Sequence, residues 1–362
     1  MPGEIYRKLQ QRMDQYFLGF PATESGVELR VLEKLFSEED AEVFLAMTLQ
    51  AEPPEKVAAR LGREPGAVAA RLEDMAERGL LFRSKTERGA KYGAVPFLPG
   101  IWEFQLATMD RELAELLDRY DREGLLTAKI EGAALFMRTV PVNQSVVVTH
   151  HIAAHEDARE VIRNAKTIAL AECICRKEQG LIEQGCDKPR EVCFLFGSSG
   201  QYYLDRGMGR RVDAEEALRV LDQAQEAGLV TQLSTSQNPS GMCNCCGDCC
   251  VVLRALNRDP KPAEKVFSNY FARVDADRCT GCEACVDRCQ MKAIAMSGAG
   301  IAEIDLNRCI GCGLCAVTCP VEALVLEPKP EGERLTPPAS SREQTAAMAE
   351  KRGIPLASLL PG

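Results

Sequence analysis

The apolar positions of the first hundred residues fall into short helical periods. Ile5, Leu9, Met13 and Phe17 stand four apart, one face of an amphipathic helix over residues 4–17, and Gly19-Phe20-Pro21 ends it. Ser37-Glu38-Glu39-Asp40 reads as a capping-box start for a helix carrying Val43, Phe44, Met47 and Leu49. Pro53-Pro54 opens a second helix, with Val57, Ala58 and Leu61, which Gly62 closes. Pro65 opens a third, with Val68, Leu72 and Met75, which Gly79 stops. Leu80-Leu81-Phe82 and Tyr92-Gly93-Ala94-Val95 then fit a hairpin. From Trp102 to Tyr120, Leu106, Met109, Leu113, Leu116 and Tyr120 recur at near-heptad spacing. One helix packed on its own domain explains this, and so does the seam of a homodimer.

Beyond residue 156 the period changes. A helix is expected over 157–164 and a strand over 167–172. A strand-like run follows over 192–196. An amphipathic helix from Val212 to Ala227 is capped by Asp213 and stopped by Gly228, and a strand covers 229–233. Gly197, Gly200, Gly207 and Gly209 lack phosphate-cradle spacing and are taken as turns. The alternation predicts a small α/β domain. After Pro330 the tail is polar, with one helix expected over 341–352.

Cysteine changes this picture most. Cys279, Cys282, Cys285 and Cys289 repeat the spacing of Cys309, Cys312, Cys315 and Cys319. Thiolates are the soft ligands of iron–sulfur clusters, four per cubane, and two structural zinc sites are the alternative use of the same residues. Gly281, Gly311 and Gly313 relieve the tight backbone such spacing demands. Residues 270–328 resemble the bacterial two-cluster ferredoxins. The resemblance implies two [4Fe–4S] clusters with crossed ligation: Cys279, Cys282, Cys285 and Cys319 on one, Cys309, Cys312, Cys315 and Cys289 on the other. One departure is visible. Cys319 is followed by Pro320, but Cys289 by Gln290, so the chain keeps an amide donor there.

A second concentration lies upstream: Cys173, Cys175, Cys186, Cys193, Cys243, Cys245, Cys246, Cys249 and Cys250. Five thiols within 243–250 are not core packing, and clustering favours metal over disulfides. One or two further iron–sulfur clusters are expected, with zinc the alternative, and spacing leaves the ligand set open. Cys245-Cys246-Gly247 is similar to the Cys-Cys-Gly modules of heterodisulfide-reductase-like proteins, but the remaining spacing departs from theirs. Arg176, Lys177, Lys188 and Arg190 lie nearby. His150, His151 and His155 sit in a polar stretch and read as a solvated segment.

Charge and composition narrow the rest. The net charge of −9 over 362 residues opposes nucleic-acid and anionic-membrane binding, and 46% apolar residues suffice for ordinary cores. The expected location is cytoplasmic, since no apolar leader or membrane span is seen. The fold expected is multidomain α+β. A helical, winged-helix-like domain covers 1–97, a helical connector 98–156 and a cysteine-rich α/β domain 157–265. A dicluster ferredoxin-like domain covers 266–329 and a tail 330–362. The function expected is single-electron transfer to or from a partner oxidoreductase of an anaerobic-type redox system, with no catalytic residue identified. A redox-sensing transcription regulator is one alternative. It is disfavoured because the helix over 65–78 pairs Arg71 and Arg78 with Glu73, Asp74 and Glu77. An iron–sulfur reductase with its reactive site among the central cysteines is the other.

Overall fold

The computed structural model of the chain describes residues 2–87, 89–142 and 154–355. Helices Pro2–Asp14, Val27–Leu35, Glu38–Leu45, Pro54–Leu61 and Pro65–Glu77 pack their apolar faces into one core. The expected signals place four of them, and Val27–Leu35 is an additional helix that follows Gly26 without a side-chain cap. Ser37 and Asp40 form a reciprocal capping box, and Gly62 closes its helix in the left-handed conformation. Strands β1 (Phe82–Thr86) and β2 (Gly89–Gly93) form the hairpin. The hairpin lies against the rest of the molecule: Phe82 stacks on Tyr202 at 5.0 Å between ring centroids, and the Tyr202 hydroxyl donates to the Leu81 carbonyl.

The predicted helix from Trp102 to Tyr120 is broken. A single turn, Trp102–Phe104, is followed by a loop, and Asp110 caps a new helix, Arg111–Tyr120, by accepting from Leu113 N. Leu106, Met109, Leu113, Leu116 and Tyr120 are all buried within this chain, so the near-heptad spacing marks its own core and not a seam. Helix Leu126–Phe136, within the stretch expected as a helical connector, packs on helices Val251–Leu256 and Ser341–Lys351. The tail thus returns to the N-terminal layer, where Arg352 pairs with Asp14.

The middle of the chain is a six-stranded sheet. It contains β3 (Met137–Thr139), β4 (Ile168–Glu172), β5 (Glu191–Phe196), β6 (Gly209–Arg211), β7 (Val230–Ser234) and β8 (Gly241–Cys245), in the order β3-β7-β8-β5-β4-β6. Every pairing is antiparallel, so the predicted α/β domain is corrected to α+β. Three local readings change with it. The glycine-rich stretch forms helix Gly197–Asp205 and then β6. The cysteine-rich stretch from Gly241 to Cys245, for which no strand is expected, forms β8. The connector supplies an edge strand, β3. Arg138 on β3 is fully buried and donates to the carbonyls of Ser234, Ser236 and His155. His155 lies in a short 3-10 turn, half-buried; His150 and His151 lie outside the described residues.

The eight-cysteine segment carries two antiparallel strand pairs, one nested within the other. Strand β9 (Tyr270–Val274) pairs with β12 (Leu324–Pro328), and β10 (Ile294–Met296) with β11 (Ala302–Ile304). Short helices Ala284–Arg288 and Leu314–Thr318 pack between them. No helix among the described residues is long and apolar enough to cross a membrane.

Candidate metal centres

The C-terminal halves are related by a shift of thirty positions, and their thiols follow that symmetry. Backbone N–H groups of Ala302 and Ala272 point at Cys279 and Cys309, at 3.5 and 3.4 Å. Those of Ala323 and Ala293 point at Cys319 and Cys289, at 3.2 Å each. Such donors favour the thiolate over the thiol. At Cys279 they hold the pKa below its ordinary value, Ala302 first and Gly281 second. Gly311, at φ +66, passes so close to the Tyr270 carbonyl that no side chain fits there.

The structure sorts these eight thiols into two groups. Cys279, Cys282, Cys285 and Cys319 line one recess of about 340 Å³, with Met296 and Leu324. Cys289, Cys309, Cys312 and Cys315 line a second, of about 390 Å³, with Ile294 and Ile310. The fourth cysteine of each run therefore faces the thiols of the other run. Four soft donors around an apolar recess fit a cubane in each. The recesses differ in depth. Cys282 is exposed, whereas burial pushes Cys312 up to about 12. Cys289, Cys309 and Cys312 pack against the main core of the molecule.

The nine upstream cysteines also converge, and here spacing gave no ligand set. Along β5 and β8 side chains alternate in period two. Phe194, Met242 and Asn244 face one side, which leaves Cys193, Cys243 and Cys245 on the other. Cys173 and Cys175 come from the end of β4 and the first turn of helix Ile174–Leu181. Cys250 sits at the N-cap of helix Val251–Leu256. The acidities of these six thiols are linked in a closed ring in the order Cys173, Cys175, Cys250, Cys245, Cys243, Cys193, each set by two others. Their acidities alternate around it. Cys173, Cys250 and Cys243 are pulled down, Cys243 to about 5, because a neighbouring thiol donates to each. Cys175, Cys193 and Cys245 are pushed up, because each faces a neighbour that ionises first.

The other three form a separate group. Cys186 Sγ lies 3.7 Å from Cys246 Sγ and 3.6 Å from Cys249 Sγ. Arg176, fully buried, brings Nη1 to 3.6 Å from Cys246 Sγ and donates from Nη2 to the Asn244 carbonyl. Cys249 first, and then Arg176, hold Cys246 down to about 6 against its burial. The neighbouring cations are otherwise engaged: Lys177 donates to the Leu106 carbonyl, Lys188 pairs with Asp248 and Arg190 with Glu172.

Beside the ring lies a layer of buried charge with no motif to announce it. Trp102 Nε1 donates to Glu178 at 2.6 Å, Lys129 pairs with Asp121, and Arg254 with Asp118. Burial pushes Glu178 up to about 7 and Glu103 up to about 8. Only tertiary packing assembles these groups, since they come from helices Trp102–Phe104, Arg111–Tyr120, Leu126–Phe136, Ile174–Leu181 and Val251–Leu256, with Asp121 between the second and third.

Gln290 carries a contact the sequence marked only as a missing proline. Its Oε1 accepts from Gly247 N at 2.7 Å, and its backbone carbonyl accepts from Asn257 Nδ2 at 3.0 Å. Gly247 is required, because a Cβ there would stand 2.6 Å from the Gln290 carbonyl oxygen. The residue after Cys289 is thus bonded to the loop that joins Cys246 and Cys249.

Residues 272–326 match the family model of the 4Fe-4S dicluster domain. No curated protein and no solved structure matches the chain. The C-terminal segment is therefore a ferredoxin-like iron–sulfur domain within a larger mixed helix-and-sheet protein. Together with the clustered upstream cysteines, it suggests electron transfer through iron–sulfur clusters.

Proposed function

We propose that the chain is an electron relay connecting a partner docked near Cys282 to a further iron–sulfur centre in the six-thiol ring. Bound clusters supply one-electron redox chemistry; the chain's part is to hold them in line and shield the inner ones from water. The observation that carries the proposal is continuity. Cys282, at the recess it lines with Cys279, is exposed to solvent, and the recess lined by Cys289 and Cys309 adjoins the main core. Cys245 and Cys250 of the ring belong to that same core, together with Met291, Ile310 and Leu314. Gln290 fixes the two regions to each other.

In this reading Cys279, Cys282, Cys285 and Cys319 hold the outer cluster, and Cys289, Cys309, Cys312 and Cys315 the inner one. The ring supplies ligands for a third. The N-terminal helices and hairpin act as a protein-docking or structural layer. Regulation by duplex DNA is disfavoured by the ion pairs they make. Arg71 pairs with Glu39 and Asp40, and Arg78 with Asp40 and Asp74, so the cations of helix Pro65–Glu77 and its C-cap are already matched to carboxylates.

The test is anaerobic purification followed by stepwise reduction monitored by EPR. Cys245→Ala should remove one signal and leave the two ferredoxin-type signals. Loss of only the ferredoxin-type signals, or no change at all, would refute the relay.

A further inference from the structure

The geometry points to a single zinc ion, not a cluster corner, at Cys186, Cys246 and Cys249, with its fourth coordination position open to solvent or a soft exogenous ligand such as a thiolate. Distances carry this. Tetrahedral ligation by sulfur at about 2.3 Å from one ion separates the sulfurs by about 3.8 Å. The observed separations are 3.7 and 3.6 Å, and all three sulfurs lie within 4.8 Å of one another. A cubane places each cysteine sulfur on a different iron, at separate corners, so its ligands stand much further apart. The molecule contains its own comparison. Among the described residues, no three sulfurs from the ferredoxin-type quartets or from the ring approach one another so closely.

The backbone keeps this group apart from the ring. Cys245 and Cys250 turn into the ring, while their immediate neighbours Cys246 and Cys249 turn to Cys186. Two adjacent pairs thus divide between two centres. Charge balance fits as well. A divalent ion with three thiolates carries one net negative charge, and the buried guanidinium of Arg176 lies against one of those sulfurs. Thiolate ligation selects zinc over the hard cations, which prefer oxygen. Among the described residues no carboxylate or imidazole joins the three sulfurs, and Cys186 is only half-buried, so solvent reaches that side. Three protein ligands with an open fourth position is the arrangement of reactive zinc sites, whereas structural ones are closed by four.

This site does not depend on the relay, and its test reads a different metal. Full-length protein, purified anaerobically and dialysed against a weak chelator, is analysed for zinc and iron. One zinc per chain is expected, with iron near 12 and not 16 atoms by the cubane count. X-ray absorption at the zinc edge should show three sulfurs and one lighter atom. Cys186→Ser and Cys249→Ser should each remove the zinc while iron content and the ferredoxin-type EPR signals stay unchanged. Cys175→Ser should do the reverse, lowering iron and leaving zinc. Absence of zinc in the unaltered protein, loss of iron in Cys186→Ser, or four sulfurs around the zinc in protein prepared without added thiol would overturn the assignment.

Discussion

Replacing Gln290 by leucine should loosen the joint between the ferredoxin-like segment and the upstream cysteines without dismantling either. Leucine keeps the bulk and the backbone carbonyl, so the bond from Asn257 survives. The acceptor for Gly247 N–H, now at 2.7 Å, is lost. A typical intramolecular hydrogen bond is worth about 1 kcal/mol net, and an amide left dry costs up to about 3 kcal/mol. Gly247 is only half-buried, so water can replace the lost partner and the lower figure applies. That corresponds to about fivefold more frequent local opening. Hydrogen exchange of peptides spanning residues 243–250 in the intact, metal-loaded protein reads it directly. Peptides from the Cys279 half serve as the internal reference, and both ferredoxin-type EPR signals should persist. Electron equilibration between these clusters and the third should slow, because the loop bearing the upstream thiols is held less firmly. Gln290→Glu, which retains an acceptor oxygen, should restore protection. Gly247→Ala should act in the same direction as leucine and more strongly, since its Cβ meets the Gln290 carbonyl at 2.6 Å and backbone must move. If Gln290→Leu left both exchange and equilibration unchanged, the claim that this contact couples the two regions would be wrong.

Three further outcomes are expected. Cys289→Ser should perturb the inner cluster held with Cys309, Cys312 and Cys315, and Cys319→Ser the outer one, since each faces the recess of the opposite run; EPR showing each variant altering its own run's signal would contradict the crossed grouping. Glu103 is raised by burial from 4.5 to about 8, so the folded chain holds a proton that the unfolded chain releases. Its contribution to stability is complete below pH 4.5 and is lost as pH rises to about 8. Glu103→Gln should flatten that slope in unfolding followed by fluorescence of Trp102, and an unchanged slope would assign it to other groups. Arg138→Met should destabilise the fold by about 3 kcal/mol, because one buried and two half-buried carbonyls lose a charged donor and only the burial cost of the charge is recovered; a loss under about 1 kcal/mol in chemical denaturation would show that water or another group replaces it.

The two four-cysteine runs and four of the five N-terminal helices are legible in the sequence because their signals are local. Ligand spacing, capping residues and apolar period act within a few residues of each other. Asp110 is also a local signal, yet the near-heptad spacing of Leu106, Met109 and Leu113 masked it, and one helix was read where a cap starts a second. The central region was misread for a different reason. A succession of helices and strands does not state which strands pair, and pairing decides whether the sheet is parallel or antiparallel. Nine cysteines announce metal, but their division into a ring and a trio depends on the period-two faces of β5 and β8. It depends equally on the loop that turns Cys246 and Cys249 away from Cys245 and Cys250. Gln290 stood out in the sequence only as a proline that was missing. That its side chain bonds Gly247, forty-three residues upstream, follows from tertiary packing alone, because no local period or propensity links two residues so far apart in the chain.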